Sequence, residues 1–252
     1  MRTLGLIGGT GLDEWGASGQ EISADTPYGA PSGPIQVYNF EHVRLLFLPR
    51  HGRDHQIAPH AVNYRANIWA LKQAGATEII AVNAVGGIRP GLDPGALVLP
   101  DQVIDYTWGR QHSYSGGSGS ALQHIDFTSP FSSSLMAELI SVAGIASIPL
   151  IEGGCVGVTQ GPRLETAAEI RRLERDGCDV VGMTTMPEVS LAAELGLLYA
   201  SISMVVNPAA GKGASVIDID EVERCAAAAS EQVRRLLQTM LNGPVQASSD
   251  TT

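Results

Sequence analysis

Short apolar runs alternate with amphipathic stretches from one end of the chain to the other, which predicts strands separated by helices. Residues 3–7 read as a buried strand running into the glycine loop Gly8-Gly9-Thr10-Gly11. A second apolar run, 43–48, ends in Pro49-Arg50-His51-Gly52-Arg53. Residues 62–74 carry Val62, Ala66, Trp69 and Ala70 at helical spacing, with Gly75 as the stop. Residues 79–82 predict a β-branched strand, followed by a loop of small residues, Asn83-Ala84-Val85-Gly86-Gly87. Beyond the Pro/Gly turn at 90–95, residues 97–104 read as one strand.

The second half continues the alternation. Helices are predicted at 133–143, 167–176, 187–195 and 218–241, and strands at 179–183 and 198–206, the last ending at Asn207-Pro208. Pro187 suits the first turn of its helix. The Ser/Gly-rich stretch 113–120 reads as a mobile loop and 243–252 as a frayed polar tail. The pattern predicts an α/β class. Without a linker-like break or a repeat, one domain over 1–242 is expected.

Composition narrows the function classes. The 252 residues carry 16 basic and 26 acidic side chains, a formal net charge of −10. That balance disfavours a general nucleic-acid binder while leaving room for a small anion held by a local positive site. Mean hydropathy is +0.08 and no run is long enough to span a bilayer. The N-terminus lacks the long apolar region of a signal peptide. Cys155, Cys178 and Cys225 form no CxxC pair, which reads as reduced thiols in a cytoplasmic protein.

Chemistry concentrates in the loops after strands. The 8–11 loop can wrap an anion with backbone N–H groups, and Thr10 adds a hydroxyl. It is not a dinucleotide fingerprint, since Glu14 stands where a third glycine belongs, and no P-loop lysine follows. Arg50 offers a fork suited to phosphate oxygens, and His51 can donate to the same group. His51, His55 and His60 lack the glutamate of a zincin motif, so no metal site is expected. Read one at a time, each loop is equally compatible with an ordinary turn or a solvated strand end. Glu165 and Glu188 read as surface charges, and Met183 as core.

Together these strings carry a resemblance. GLIGGTGLD, LPRHGRDH, VNYRANIWALKQAGA, GPRLETAAE and GMTTMPEVSLAAELGL, in this order and spacing, resemble the trimeric purine nucleoside phosphorylase and 5′-methylthioadenosine phosphorylase family over residues 4–237. The resemblance implies a mixed, twisted and partly barrel-like central sheet flanked by helices. It implies phosphate attack on the anomeric carbon of a purine nucleoside, with phosphate as co-substrate and no metal or other cofactor. Phosphate is expected on Thr10, Arg50, His51, the backbone of Ala84, and Thr184. Asn83 is expected to border phosphate and sugar, and Met183 to lie under the ribose. His124, in LQHIDF, matches a histidine that the family contributes across a subunit interface. A homotrimer follows from the same likeness, with no membrane or nucleic-acid partner.

Two departures bear on substrate. Aminopurine enzymes of the family carry Asp where Asn207 and Ala209 stand, whereas Asn207 presents both a donor and an acceptor to a 6-oxopurine. Glu165 can accept the ring N–H that hypoxanthine has and adenine lacks. The region opening the last helix has no histidine for a 5′-hydroxyl. Ile219, or alternatively Ile217, offers an apolar wall instead. An oxopurine pocket beside a methylthio pocket describes 5′-methylthioinosine. The alternatives are inosine or guanosine, 5′-methylthioadenosine, and a non-catalytic purine-binding module.

Overall fold

A computed structural model of the chain describes residues 1–16, 19–115, 122–213 and 217–243. Most of the Ser/Gly-rich stretch and the tail from 244 onward lie outside the described residues. In chain order come β1 (Arg2–Gly8), β2 (Gln20–Ile22), β3 (Ile35–Asn39), β4 (Val43–Pro49), α1 (Tyr64–Gln73), β5 (Glu78–Gly87), β6 (Leu97–Leu99) and β7 (Gln102–Asp105). Then follow α2 (Ser133–Ala146), β8 (Ile151–Glu152), β9 (Cys155–Val158), α3 (Ala167–Arg175), β10 (Val180–Gly182), α4 (Thr185–Glu194), β11 (Leu198–Pro208) and α5 (Ile219–Asn242).

The strands form one mixed sheet, ordered β2-β3-β4-β1-β5-β10-β9-β7, with β11, β6 and β8 branching from β5. β5 is the hub. β1 runs parallel to its first residues, β10 pairs antiparallel with Gly86 and Gly87, and β11 lies parallel along its other edge. Side chains alternate across the sheet. Ile79 and Ala81 enter a core with Ile68 of α1 and Val189 of α4, while Ile80 and Val82 enter a second core with Leu139 of α2 and Val233 of α5. Helices therefore cover both faces.

Helix boundaries follow capping chemistry. The Asn63 side chain accepts from the Ala66 N–H at the start of α1, and Thr166 with Glu169 makes a capping box on α3.

Several expectations change. The loop expected at 83–87 is strand, because Gly86 and Gly87 sit where neighbouring chain crowds β5. A Cβ on Gly87 would lie 2.5 Å from the Leu92 carbonyl oxygen. The run 97–104 is two strands, broken at Pro100-Asp101. β2, β3, β8 and β9 are further strands, of two to five residues, that the apolar pattern does not announce. Met186 is extended (φ −103°, ψ 135°) and interrupts the first turn of α4, so its continuous part starts at Pro187, where the sequence predicts the helix.

Candidate active site

Segments far apart in sequence line one cavity of about 440 Å³ beside the C-terminal half of β5. Its walls include Thr10, Arg50, His51, Asn83, Ala84, Glu165, Met183, Thr184 and Asn207, nine of the residues nominated from sequence. His124 is exposed and outside it. Ile219 is 54% exposed at the first turn of α5 and is also outside, whereas Ile217 lines the wall. The apolar wall is thus Ile217 rather than Ile219, because Ile219 has already entered the helix and turns outward.

The end of the cavity nearest Arg50 is built where β1 and β4 stop beside Val82 and Asn83 of β5, which runs on to Gly87. β1 hands the chain to Gly9, where a Cβ would stand 2.7 Å from Arg50 Nη1 and 2.5 Å from the Val82 carbonyl oxygen. Only glycine lets that loop approach the guanidinium so closely. Arg50 is 1% exposed. Its Nε donates to Glu188 Oε1 at 2.7 Å, and Nη2 donates to Glu188 Oε2 at 2.9 Å and to Asn83 Oδ1 at 2.8 Å. Nη1 donates to the Val82 carbonyl at 2.9 Å. Of five N–H groups, one on Nη1 is left for an anion. Burial opposes the charge on Arg50, yet the Glu188 carboxylate and its hydrogen bonds outweigh that cost and hold the guanidinium ionised.

Glu188, expected at the surface, is completely buried and also accepts from the Tyr199 hydroxyl at 2.9 Å. Asn83 lines the cavity, but its amide is directed inward: Nδ2 donates to Thr185 Oγ1 at 2.8 Å and to Ser201 Oγ at 3.0 Å. Thr184 caps α4 without using its hydroxyl on the helix, which leaves that donor to the cavity.

His51 is 6% exposed, and its Nδ1 donates to the Ile57 carbonyl at 2.7 Å. Burial, followed by the neighbouring Arg50 charge, pushes its pKa down to about 4. The neutral ring therefore presents Nε2 as an acceptor, not the donor expected from sequence. Beside it, the His55 ring lies 4.7 Å away, with Nδ1 2.9 Å from Asp13 Oδ1 and Nε2 3.4 Å from Thr10 Oγ1. Among the described residues no group of three or more His, Cys, Asp or Glu is placed to hold a metal ion.

At the other end, Glu165 accepts from Thr159 Oγ1 at 2.5 Å, leaving its second oxygen unassigned. Asn207 Nδ2 donates to the Pro208 carbonyl at 2.7 Å, leaving one N–H and Oδ1. Ala209 lines the wall beside it. Met183, read from sequence as core, is half-buried in the wall, and its sulfur stands 2.5 Å from where a Cβ on Gly161 would lie. Sequence reading missed Glu188, Tyr199 and Arg110 as parts of this region. Arg110 donates to the carbonyls of Met183 and Gln160 at 2.8 and 2.9 Å.

Comparison with known proteins places this geometry. The sequence profile described as the phosphorylase superfamily matches residues 3–242. A Pseudomonas syringae pv. tomato protein named probable S-methyl-5′-thioinosine phosphorylase is 48% identical, over 96% of this chain and 99% of its own. Two Pyrococcus furiosus proteins are each 40% identical over 94% of this chain and 91% of their own. One is named S-methyl-5′-thioadenosine phosphorylase and the other 6-oxopurine nucleoside phosphorylase. The structure of methylthioadenosine phosphorylase from Schistosoma mansoni with adenine matches with a TM-score of 0.91 at 34% identity, covering 96% of this chain and 91% of that one.

Proposed function

The chain belongs to the phosphorylase superfamily, and on that premise we propose that it splits 5′-methylthioinosine with inorganic phosphate into hypoxanthine and 5-methylthioribose-1-phosphate. A phosphate oxygen bonds to C1′ as the bond from C1′ to the purine breaks, and the electron pair leaves on the base. The departing purine takes up a proton, balanced by the one that hydrogen phosphate gives up on becoming the sugar phosphate. The transition state carries positive charge on the sugar and growing negative charge on the base, so the site must hold an anion on one side and hydrogen-bond the base on the other.

Thr10, Thr184, the Ala84 backbone and the last Nη1 proton of Arg50 hold the phosphate. Neutral His51 accepts a hydrogen bond from hydrogen phosphate at Nε2. Met183 packs under the ribose. Asn207 meets O6 and the neighbouring ring nitrogen with its remaining donor and acceptor, and the free oxygen of Glu165 accepts the N1–H. Ile217 and Val222, both in the cavity wall, give the 5′ substituent an apolar surface.

The observation that carries the substrate reading is that Asn207, Glu165 and Ala209 share one cavity with Ile217. The test is phosphate-dependent turnover of 5′-methylthioinosine, 5′-methylthioadenosine, inosine and adenosine. The highest kcat/KM is expected for the first. A preference for methylthioadenosine overturns the base assignment, and one for inosine overturns the sugar assignment in favour of a general 6-oxopurine phosphorylase.

The assembly proposed is a homotrimer in the cytoplasm. An exposed His124 outside its own cavity suits a residue serving a neighbouring copy, and the three cysteines are unpaired. A solution mass of three 26.4 kDa protomers is expected by light scattering.

A further inference from the structure

Arg110 follows β7 and stands behind the cavity rather than in its wall. Nη1 donates to the carbonyl oxygens of Met183 at 2.8 Å and Met186 at 2.6 Å, with a longer contact to the Tyr64 hydroxyl at 3.3 Å. Nη2 donates to the carbonyls of Gln160 at 2.9 Å and Thr159 at 3.3 Å, and Nε to Gln160 Oε1 at 3.2 Å. One guanidinium thus fastens the segment leading to Glu165 to the segment carrying Met183 and Thr184. The Tyr64 ring lies under it, 5.3 Å from ring centre to guanidinium carbon.

Among the described residues Arg110 makes no ion pair, so main-chain dipoles, a side-chain amide and the ring and hydroxyl of Tyr64 are what surround its charge. Arg50, by contrast, shares its charge with a buried carboxylate. The Met183–Thr184 peptide links Arg110 to the anion end. In a trans peptide the C=O and N–H point in opposite directions. With the Met183 carbonyl aimed at Arg110, the Thr184 N–H is aimed away from it, and Thr184 lines the cavity. A cation on the oxygen side polarises the amide and strengthens the N–H as a donor.

Resting on the phosphate site proposed above, we infer that Arg110 is a positioning residue: it locks the two walls in register and polarises the Thr184 N–H toward bound phosphate.

The test measures inorganic phosphate binding by calorimetry, with no nucleoside present, for the full chain and for Arg110→Gln and Arg110→Lys. Circular dichroism and Tm are recorded alongside. Arg110→Gln is expected to weaken phosphate binding about tenfold, the size of one charge-assisted hydrogen bond. Arg110→Lys keeps the charge but not the fork, so it is expected to fall between Arg110→Gln and the parent protein. Low-millimolar guanidinium is expected to restore part of the affinity in Arg110→Gln, which a purely structural defect does not allow. If Arg110→Gln does not fold, Arg110→Lys with guanidinium decides by the same criteria. Phosphate binding by the parent with unchanged affinity in a folded variant overturns this inference alone. No phosphate binding by the parent overturns the phosphate site itself, and this inference with it.

Discussion

Arg50 and Glu188 form a two-point ion pair at 2.7 and 2.9 Å, with side chains 1% and 0% exposed. The pair stands directly beneath the proposed anion site and is itself electrically neutral. Phosphate is therefore met by oriented N–H and O–H groups more than by a net positive charge.

Removing one partner strands a buried charge, which costs about 3–5 kcal/mol. Glu188→Leu and Arg50→Met are each expected to lose that much stability in urea denaturation. The double variant Arg50→Met/Glu188→Leu is expected to recover most of it, because both charges leave together. Phosphorolysis is expected to stay absent in the double variant. Recovery of activity there would show that Arg50 does not touch the phosphate.

His51 makes stability depend on pH in a defined window. Its folded pKa of about 4 lies below the ordinary value of 6.5, so the unfolded chain binds the proton first. The contribution is fully present above pH 6.5 and is lost as pH falls toward 4. The amplitude is on the order of 3 kcal/mol. His51→Gln is expected to flatten the stability-versus-pH curve between these limits, measured by denaturant midpoints.

Asn207→Asp tests the base reading. A carboxylate accepts from an exocyclic amino group but repels the carbonyl of a 6-oxopurine. The ratio of kcat/KM for methylthioinosine to that for methylthioadenosine is expected to fall by about tenfold or more. An unchanged ratio removes Asn207 from the set of base-reading residues.

The 5′ wall separates two neighbouring isoleucines. Ile217→Ser is expected to lower kcat/KM for methylthioinosine about tenfold while sparing inosine, since burial of a methylthio group against an apolar wall contributes about 1–2 kcal/mol. Ile219→Ser, at a position 54% exposed, is expected to change neither. The reverse result makes Ile219, not Ile217, the residue that meets the 5′ substituent.

Most of the architecture was legible because buried strands and amphipathic helices have distinct periods, as in residues 3–7, 198–206 and 218–241. β3 escaped notice although Ile35 and Val37 alternate with Gln36 and Tyr38, because glycines and prolines crowd the residues before it. The strand identity of 83–87 was hidden for a related reason. Gly86 and Gly87 are required there by close neighbours, not by a turn. In the site, the cavity-lining residues nominated from sequence stand out as polar or small residues within or just after apolar runs. Those that act from behind carry no such signal. Glu188 lies on a helix, and nothing in its sequence context says that Arg50, 138 positions away, turns toward it. Arg110 is a lone arginine in a polar loop, identified only by the four carbonyls it gathers.

Where β11 runs beside β5, Val205 pairs with Val85 but Asn207 pairs with Gly86, so Val206 is an extra residue in the ladder. Val206 and Asn207 both line the cavity at this irregularity. The bulge separates two tasks that a regular strand would fuse. β11 holds the sheet together through its earlier residues, while position 207 can be exchanged with little penalty to the ladder. On the base assignment proposed above, purine preference is in this sense detachable from the fold: the side chain at 207 can change while the ladder it sits in stays.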